Sequence, residues 1–313
     1  MIATDSTLGF PGTDHELPRE TGKRANIPPD ESSTRTAMDI RAHYADVQSV
    51  YDRMATDYDE TIGRTLVSRH AKTIAVELIT RLSPPTGSLL DVGCYTGSEA
   101  LLLAARGFRV VGVDLSPKMI ELARAKAKRQ RLTDRTRFEV ARASDLHSLE
   151  SAGIGLFDTA YSVYGTLNLE PRIDQFKDSV SSLLKPHGAL IVGLLNPTVL
   201  YELLIGPLAL RFDGYRKLAK RFVKTRVGVG DERINSFLYT PGEFARILEP
   251  QFAFERSLGI HFLYPPPRPR KEPGEGMWWA ARAIDRFEKR LEDRFPFSNL
   301  GLFSLTIFRK IRD

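Results

Sequence analysis

Leu89-Leu90-Asp91-Val92-Gly93-Cys94-Tyr95-Thr96-Gly97 is the stretch on which the fold turns. Its apolar first half follows the breaker Ser83-Pro84-Pro85-Thr86-Gly87, so the spacing predicts a buried strand at Ser88–Val92. The second half is a turn with glycine at both ends. Such a turn lets the chain reverse sharply and lets a ligand approach backbone that carries no Cβ. The free N–H groups of a helix that follows attract polar or anionic groups.

Downstream, apolar runs alternate with helical patterns. A short helix is expected at 98–105, ending near Gly107, then a strand at 109–113. Ser116 is a good N-cap and Pro117 suits the first helical position, with the helix reaching about Gln130. Further strands are expected at 137–141, 157–163 and 189–195, with a helix at 171–184. Strands that alternate with helices make a parallel sheet covered on both faces, with ligands at the strand C-termini.

Upstream, Tyr44, Val47, Val50, Tyr51 and Met54 recur at helical spacing, and a second helix is expected over 65–82. Residues 38–83 thus read as a helical cap on a core at 84–195. Residues 198–237 read as an insertion, with an apolar helix at 198–210 and then a basic helix carrying Arg211, Arg216, Lys217, Lys220, Arg221, Lys224 and Arg226. Residues 238–313 complete the domain. Thr240-Pro241-Gly242-Glu243 is a capping box, 252–263 and 302–308 read as strands, 265–269 as a rigid linker and 277–294 as an amphipathic helix.

Three acids follow three consecutive strands. Asp91 closes the first. Asp114 closes the second and suits both hydroxyls of a ribose. Asp145 follows the third and suits an adenine amino group. The dinucleotide fingerprint G-x-G-x-x-G is absent, because Tyr95 takes the place of its second glycine. Asp91 would repel a pyrophosphate but suits an ammonium group. Both features favour S-adenosylmethionine over a dinucleotide.

In this order and spacing the motifs resemble those of the class I S-adenosylmethionine-dependent methyltransferases, in particular their small-molecule members. Asp91–Gly97 is similar to the first motif, Val113–Met119 to the second, Ala143–Leu146 to the third and 157–163 to the fourth strand. Tyr51-Asp52-Arg53-Met54-Ala55-Thr56-Asp57-Tyr58-Asp59 is similar to the element that folds over the donor. The resemblance covers residues 45–195. It implies an α/β fold with a doubly wound, mostly parallel seven-stranded sheet, an antiparallel last strand and a helical lid insertion. It implies donor contacts from Tyr51, Asp91, Gly93, Cys94, Gly97, Asp114, Leu115, Met119, Ser144, Asp145, Leu146 and Ser162. Tyr95 departs from the family's usual middle glycine, so its side chain must turn away from the donor or stack beside it. On the acceptor side the candidates are Tyr58 and Tyr164, with His261 as a base. Ser162, Gly165, Thr166 and Asn168 lie where the donor methyl group should emerge.

The implied reaction is methyl transfer to oxygen or nitrogen, less readily carbon, of a small or lipid-like, even acidic, acceptor. The apolar and basic insertion also fits contact with a membrane surface. The alternatives are an RNA methyltransferase, or an inactive binding subunit of the same fold. The chain of 313 residues has a formal charge of +6, a mild excess that does not by itself imply nucleic acid. No recognised RNA-binding module is present. One cysteine, Cys94, rules out an internal disulfide and fits a reducing cytoplasm. No Cys/His/Asp cluster has metal-ligand spacing, so no metal is expected. Residues 1–37 read as a disordered tail, rich in Pro, Ser and Thr. The apolar stretch 188–210 is broken by Asn196-Pro197 and Gly206-Pro207, so it reads as a strand and a separate helix rather than a membrane span.

Overall fold

Alternating burial along the central strands builds two apolar layers from one sheet. In β1 (Ser88–Val92) Leu89 faces one layer, while Leu90 and Val92 face the other. The same alternation separates Tyr161 from Ala160 in β4 (Phe157–Ser162), and Ile191 from Leu190 and Val192 in β5 (Leu184–Leu195). This computed structural model describes residues 38–311 apart from 64, 152, 206, 208–221, 227–231, 264–283 and 285. The tail at 1–37 and the linker at 265–269 lie outside the described residues, as do the basic positions 211–221.

The remaining strands of the large sheet are β2 (Arg109–Asp114), β3 (Thr136–Val140), β8 (Phe252–Ile260) and β9 (Phe303–Lys310). The order is β3-β2-β1-β4-β5-β9-β8, and β9 runs antiparallel to both neighbours. This is the doubly wound seven-stranded architecture expected from the sequence. The order reverses between β1 and β4, so the crevice at their C-terminal ends is the switch point where open α/β sheets bind ligands.

The first layer is covered by α2 (Leu66–Leu82), α3 (Ser98–Ala105) and α4 (Pro117–Arg129). The second is covered by α5 (Ile173–Leu183) and α6 (Pro241–Leu248). Ahead of these, α1 (Ile40–Met54) lies over the ligand edge. Local chemistry sets these starts. Ser116 accepts from Met119 N–H with Pro117 behind it, and Thr240 and Glu243 form the reciprocal capping box.

The insertion differs from its reading. Phe222–Arg226 and Arg233–Phe237 form an antiparallel pair, β6 and β7. Lys224 and Arg226 therefore sit on a strand, not on a basic helix. Strand pairing overrides the charge pattern, because Phe222 and Phe237 face each other and pack into the second layer. The apolar segment before it is helical over Leu200–Ile205, and β5 already occupies 184–195 as a central strand, five residues longer at its start than expected. Towards the C-terminus, residues 286–288 are helical but the chain turns from 289 onward, so the helix expected to reach Arg294 stops short. No described helix is long and apolar enough to cross a membrane.

Asn168 joins the insertion to the sheet. Its amide nitrogen donates to Leu195 O at 3.2 Å and Phe237 O at 2.6 Å, and its oxygen accepts from Leu195 N at 2.8 Å. It was a candidate for the acceptor side, but it is fully buried and consumed by these bonds. Asn168→Ala removes three side-chain-to-backbone hydrogen bonds, and the expected cost is about 2–4 kcal/mol. A urea unfolding curve with an unchanged midpoint would contradict this role.

Candidate active site

The turn after β1 folds as its glycines require. Gly93 and Cys94 N–H both donate to Val113 O, at 2.8 and 2.9 Å, and Gly97 N–H donates to Cys94 O at 2.8 Å. Gly93 has φ +79° and Gly97 φ +74°, the left-handed region that glycine enters without strain. A Cβ on Gly93 would lie 2.3 Å from Thr166 Cγ2, so no other residue fits there. Tyr95 is also left-handed, at φ +50°, and its N–H donates to Asp114 Oδ2 at 2.9 Å.

Asp114 receives a second backbone bond, from Ser116 N–H to Oδ1 at 2.8 Å. Burial pushes its carboxyl up to about 6, against the pull of these two donors. Beside it opens a cleft of about 560 Å³, open mouth included. Gly93, Tyr95, Asp114, Leu115, Ser116 and Thr166 line its sheet side, and Tyr44, Val47, Gln48 and Tyr51 line its α1 side.

The cap is clasped to the core by two acids. Asp52 Oδ1 accepts from Ser116 Oγ at 2.5 Å, beside the start of α4. Asp59, in the short helix Tyr58–Thr61, accepts from Thr96 Oγ1 at 2.6 Å and pairs with Lys126. Burial of Asp59 opposes its charge, but Lys126 and the hydroxyls of Thr96 and Ser98 outweigh it and hold the carboxyl below its ordinary range. An acid with a lowered folded pKa stabilises above its unfolded pKa and loses that contribution as pH falls through the folded value. Asp59→Ala is therefore expected to speed hydrogen exchange at 55–61 several-fold at neutral pH. The wild-type protein should show the same effect below about pH 4. Equal protection in the variant would remove the clasp.

Between the two clasps lies an aromatic cluster. The Tyr58 ring stacks on Tyr95 at 5.1 Å and 16°, and Tyr51 meets Tyr95 at 5.5 Å. Tyr95 OH lies 3.2 Å from Thr166 Oγ1. Tyr95 thus stacks against the cap tyrosines. Tyr164 packs on the same cluster and donates to Glu99 Oε1 at 3.1 Å, while Lys72 lies 3.5 Å from that oxygen. Burial pushes the phenols of Tyr51, Tyr58 and Tyr164 well above their ordinary value, so all three stay protonated.

The other candidates divide by position. Tyr51, Gly93, Asp114 and Leu115 line the cleft. Asp91, Cys94, Gly97, Met119, Leu146 and Ser162 do not; Asp91, Cys94, Met119, Leu146 and Ser162 are packed behind its wall. Burial, reinforced by the charge of Glu99, lifts Asp91 well above the carboxylate range. Asp145 is exposed and outside the lining, because Asp145 N–H bonds to Arg142 O in a turn while Ser144 takes the buried position. The acid that does line the cleft there is Glu170, which the sequence reading missed. Its signal was faint: a lone acid before Pro171, after the 3₁₀ turn Thr166–Leu169. His261 is buried just past the end of β8, 3.0 Å from His70 Nδ1. Burial, with the neighbouring His70, drops it to about 3, so it is neutral and a poor proton acceptor. Among the described residues no group of three His, Cys, Asp or Glu is placed to hold a metal ion.

Comparison with known proteins agrees with this geometry. Residues 89–188 match the methyltransferase domain family. Residues 89–188 are thus similar to a methyltransferase domain, on a sheet with the strand order of the class I methyltransferase fold. S-adenosylmethionine is the cofactor of that class. The domain is similar to erythromycin 3''-O-methyltransferase of Saccharopolyspora erythraea, 35% identical over 133 residues, which are 40% of this chain and 42% of that one. It is also similar to the ubiquinone/menaquinone biosynthesis C-methyltransferase UbiE of Geotalea daltonii, 29% identical over 47% of this chain and 61% of that one. The chain thus spans about half the length of these two relatives. Among solved structures, the [4+2]-cyclase SpnF superposes with a TM-score of 0.53 at 17% identity, over 85% of this chain and 96% of that one. That likeness concerns the fold alone.

Proposed function

We propose that this protein transfers a methyl group from S-adenosylmethionine to an oxygen or nitrogen of a small or lipid-like acceptor. The observation that carries the reading is Asp114, a carboxylate fixed by two backbone N–H groups and lining the cleft at the switch point. Gly93 supports it, since a Cβ there would meet Thr166 on the wall of the same cleft.

S-adenosylmethionine supplies an activated methyl group on a sulfonium, so no covalent catalyst is needed. Asp114 accepts from the ribose hydroxyls and fixes orientation. The rings of Tyr51, Tyr58, Tyr95 and Tyr164 exclude water and form a wall of low polarity, which suits a reaction in which charge disappears. Tyr58 and Tyr164, held protonated, orient the acceptor rather than take its proton. Beyond β5, Leu204 and Ile205 are exposed on the helix at Leu200–Ile205, which suits an apolar acceptor.

A calorimetric titration with S-adenosylhomocysteine is expected to show one site; no heat of binding would overturn the reading. Radiolabelled donor with a cell extract is expected to label the small-molecule or lipid fraction. Ribonuclease-sensitive label would move the acceptor to RNA.

A further inference from the structure

Apolar side chains left in water gather around one strand end. Among the described residues Phe295 is 83% exposed, Leu204 55% and Phe287 50%, and Ile205 is exposed beside Leu204. All four lie on segments bonded to the C-terminal end of β8. Gly259 N–H donates to Glu292 O at 2.7 Å and Leu263 N–H to Glu288 Oε1 at 2.7 Å, which ties 286–296 to that end. Tyr201 N–H donates to Phe262 O at 2.9 Å, which ties the helix Leu200–Ile205 to the same stretch. Because β8 is antiparallel to β9, and β9 to β5, this end shares the ligand edge with the C-terminal ends of β4 and β5.

Charge is sorted in the same place. Arg286, Lys289, Arg290 and Arg294 are exposed. Of the three acids in 286–296, Glu288 is buried and holds Leu263, Glu292 is half-buried and only Asp293 is exposed. Glu202, on the helix, is half-buried as well. The outward face of 286–296 therefore carries four cations against one anion, interleaved with two phenylalanines. A protein interface gathers apolar groups at its centre and sheds charge there. Phenylalanine interleaved with Arg and Lys suits the boundary of an anionic bilayer instead, where rings sink among the acyl chains while cations stay with the phosphates. We propose that 286–296, with Leu204 and Ile205, docks this protein on an anionic lipid surface. The docked orientation turns the ligand edge to the bilayer, so a lipid-like acceptor enters without crossing water. That consequence rests on the function proposed above; the docking itself does not.

The test is sedimentation of the full chain with vesicles of phosphatidylcholine alone and of phosphatidylcholine mixed with phosphatidylglycerol. The wild-type protein is expected to bind the mixed vesicles at least about tenfold more tightly, and added salt is expected to weaken that binding. Phe287→Ser with Phe295→Ser is expected to lower the affinity at least about tenfold, because neither ring leaves water any longer. Arg290→Ser with Arg294→Ser is expected to lower it about tenfold or more. Arg129→Ser with Arg131→Ser removes two exposed cations at the far end of α4, on the opposite edge of the sheet, and is expected to keep the wild-type affinity. A wild-type protein that binds neither vesicle, or both alike, overturns the proposal without any variant. Unchanged affinity in the phenylalanine pair or in the Arg290 and Arg294 pair overturns it too, as does an equal loss in the Arg129 and Arg131 pair, which would reduce the effect to net charge. All six side chains are exposed, and an unchanged melting curve checks that each variant folds. Vesicle binding needs neither donor nor acceptor, so its failure leaves the donor reading standing. Vesicle binding without binding of S-adenosylhomocysteine overturns the donor reading and leaves the docking surface.

Discussion

Asp114→Ala is expected to weaken binding of S-adenosylhomocysteine by at least about 100-fold. The carboxylate is the proposed acceptor for two ribose hydroxyls, and each bond to a charged acceptor contributes about 1.5–3 kcal/mol; about 3 kcal/mol is already two decades in affinity. The variant also frees the N–H groups of Tyr95 and Ser116, so the turn loosens as well as the ligand. Asp114→Asn frees only one of those two N–H groups, because its amide nitrogen must face one donor. It keeps the shape and one good acceptor, and should cost about tenfold. The pH dependence carries a second check. Because burial raises Asp114 to about 6, the ligand-binding form is lost as pH falls below that value, and affinity should decline about tenfold per pH unit there. Stability of the free protein moves the other way. An acid with a folded pKa above its unfolded value near 4 takes up a proton on folding, so its contribution to stability improves as pH falls from about 6 to 4. Affinity that is flat between pH 7 and 5 would exclude Asp114 from the site.

Gly93→Ala is expected to abolish binding and to cost about 3 kcal/mol of stability or more. Two effects add. A residue with a Cβ in the left-handed region is strained by about 1–2 kcal/mol. The new methyl group would also sit 2.3 Å from Thr166 Cγ2 and 2.4 Å from Thr166 Oγ1, and overpacking of this kind costs about 1–3 kcal/mol. Thr166 cannot simply rotate away, because its own Cβ is 2.8 Å from that point and its hydroxyl lies 3.2 Å from Tyr95 OH. Gly93 itself is fixed by its bond to Val113 O. The displacement would therefore pass into the cleft, which both Gly93 and Thr166 line. Gly93→Ala with wild-type melting and wild-type affinity would show that the turn has room to spare. In the double variant with Thr166→Ala the strain remains and part of the clash is relieved, so stability should recover by about 1 kcal/mol or more.

The core was legible because its signals are local. Proline and glycine breakers, apolar runs of strand length and N-caps at Ser116 and Thr240 depend only on near neighbours, and the strands fell within a few residues of their expected places. Asp114 was legible for the same reason: a strand end in a parallel sheet has one possible edge. The insertion was not. Seven basic residues in sixteen positions suggest a solvated helix, but Phe222 and Phe237 gain more by pairing across two strands and burying against the second layer. That gain needs a partner fifteen residues away, and no pattern within the segment announces it.

The sequence by itself determined the class of the fold, the glycine turn at Leu89–Gly97 and the acid that faces the cleft, because each follows from backbone conformations open to few residue types. The tertiary structure alone decided which polar groups meet the cavity. It turned Asp145 outward, brought in Glu170 from beyond β4, and closed Tyr51 and Tyr58 over Tyr95 of the turn from helices some forty residues upstream. Those choices depend on how α1 seats across the sheet edge, a matter of packing between distant segments.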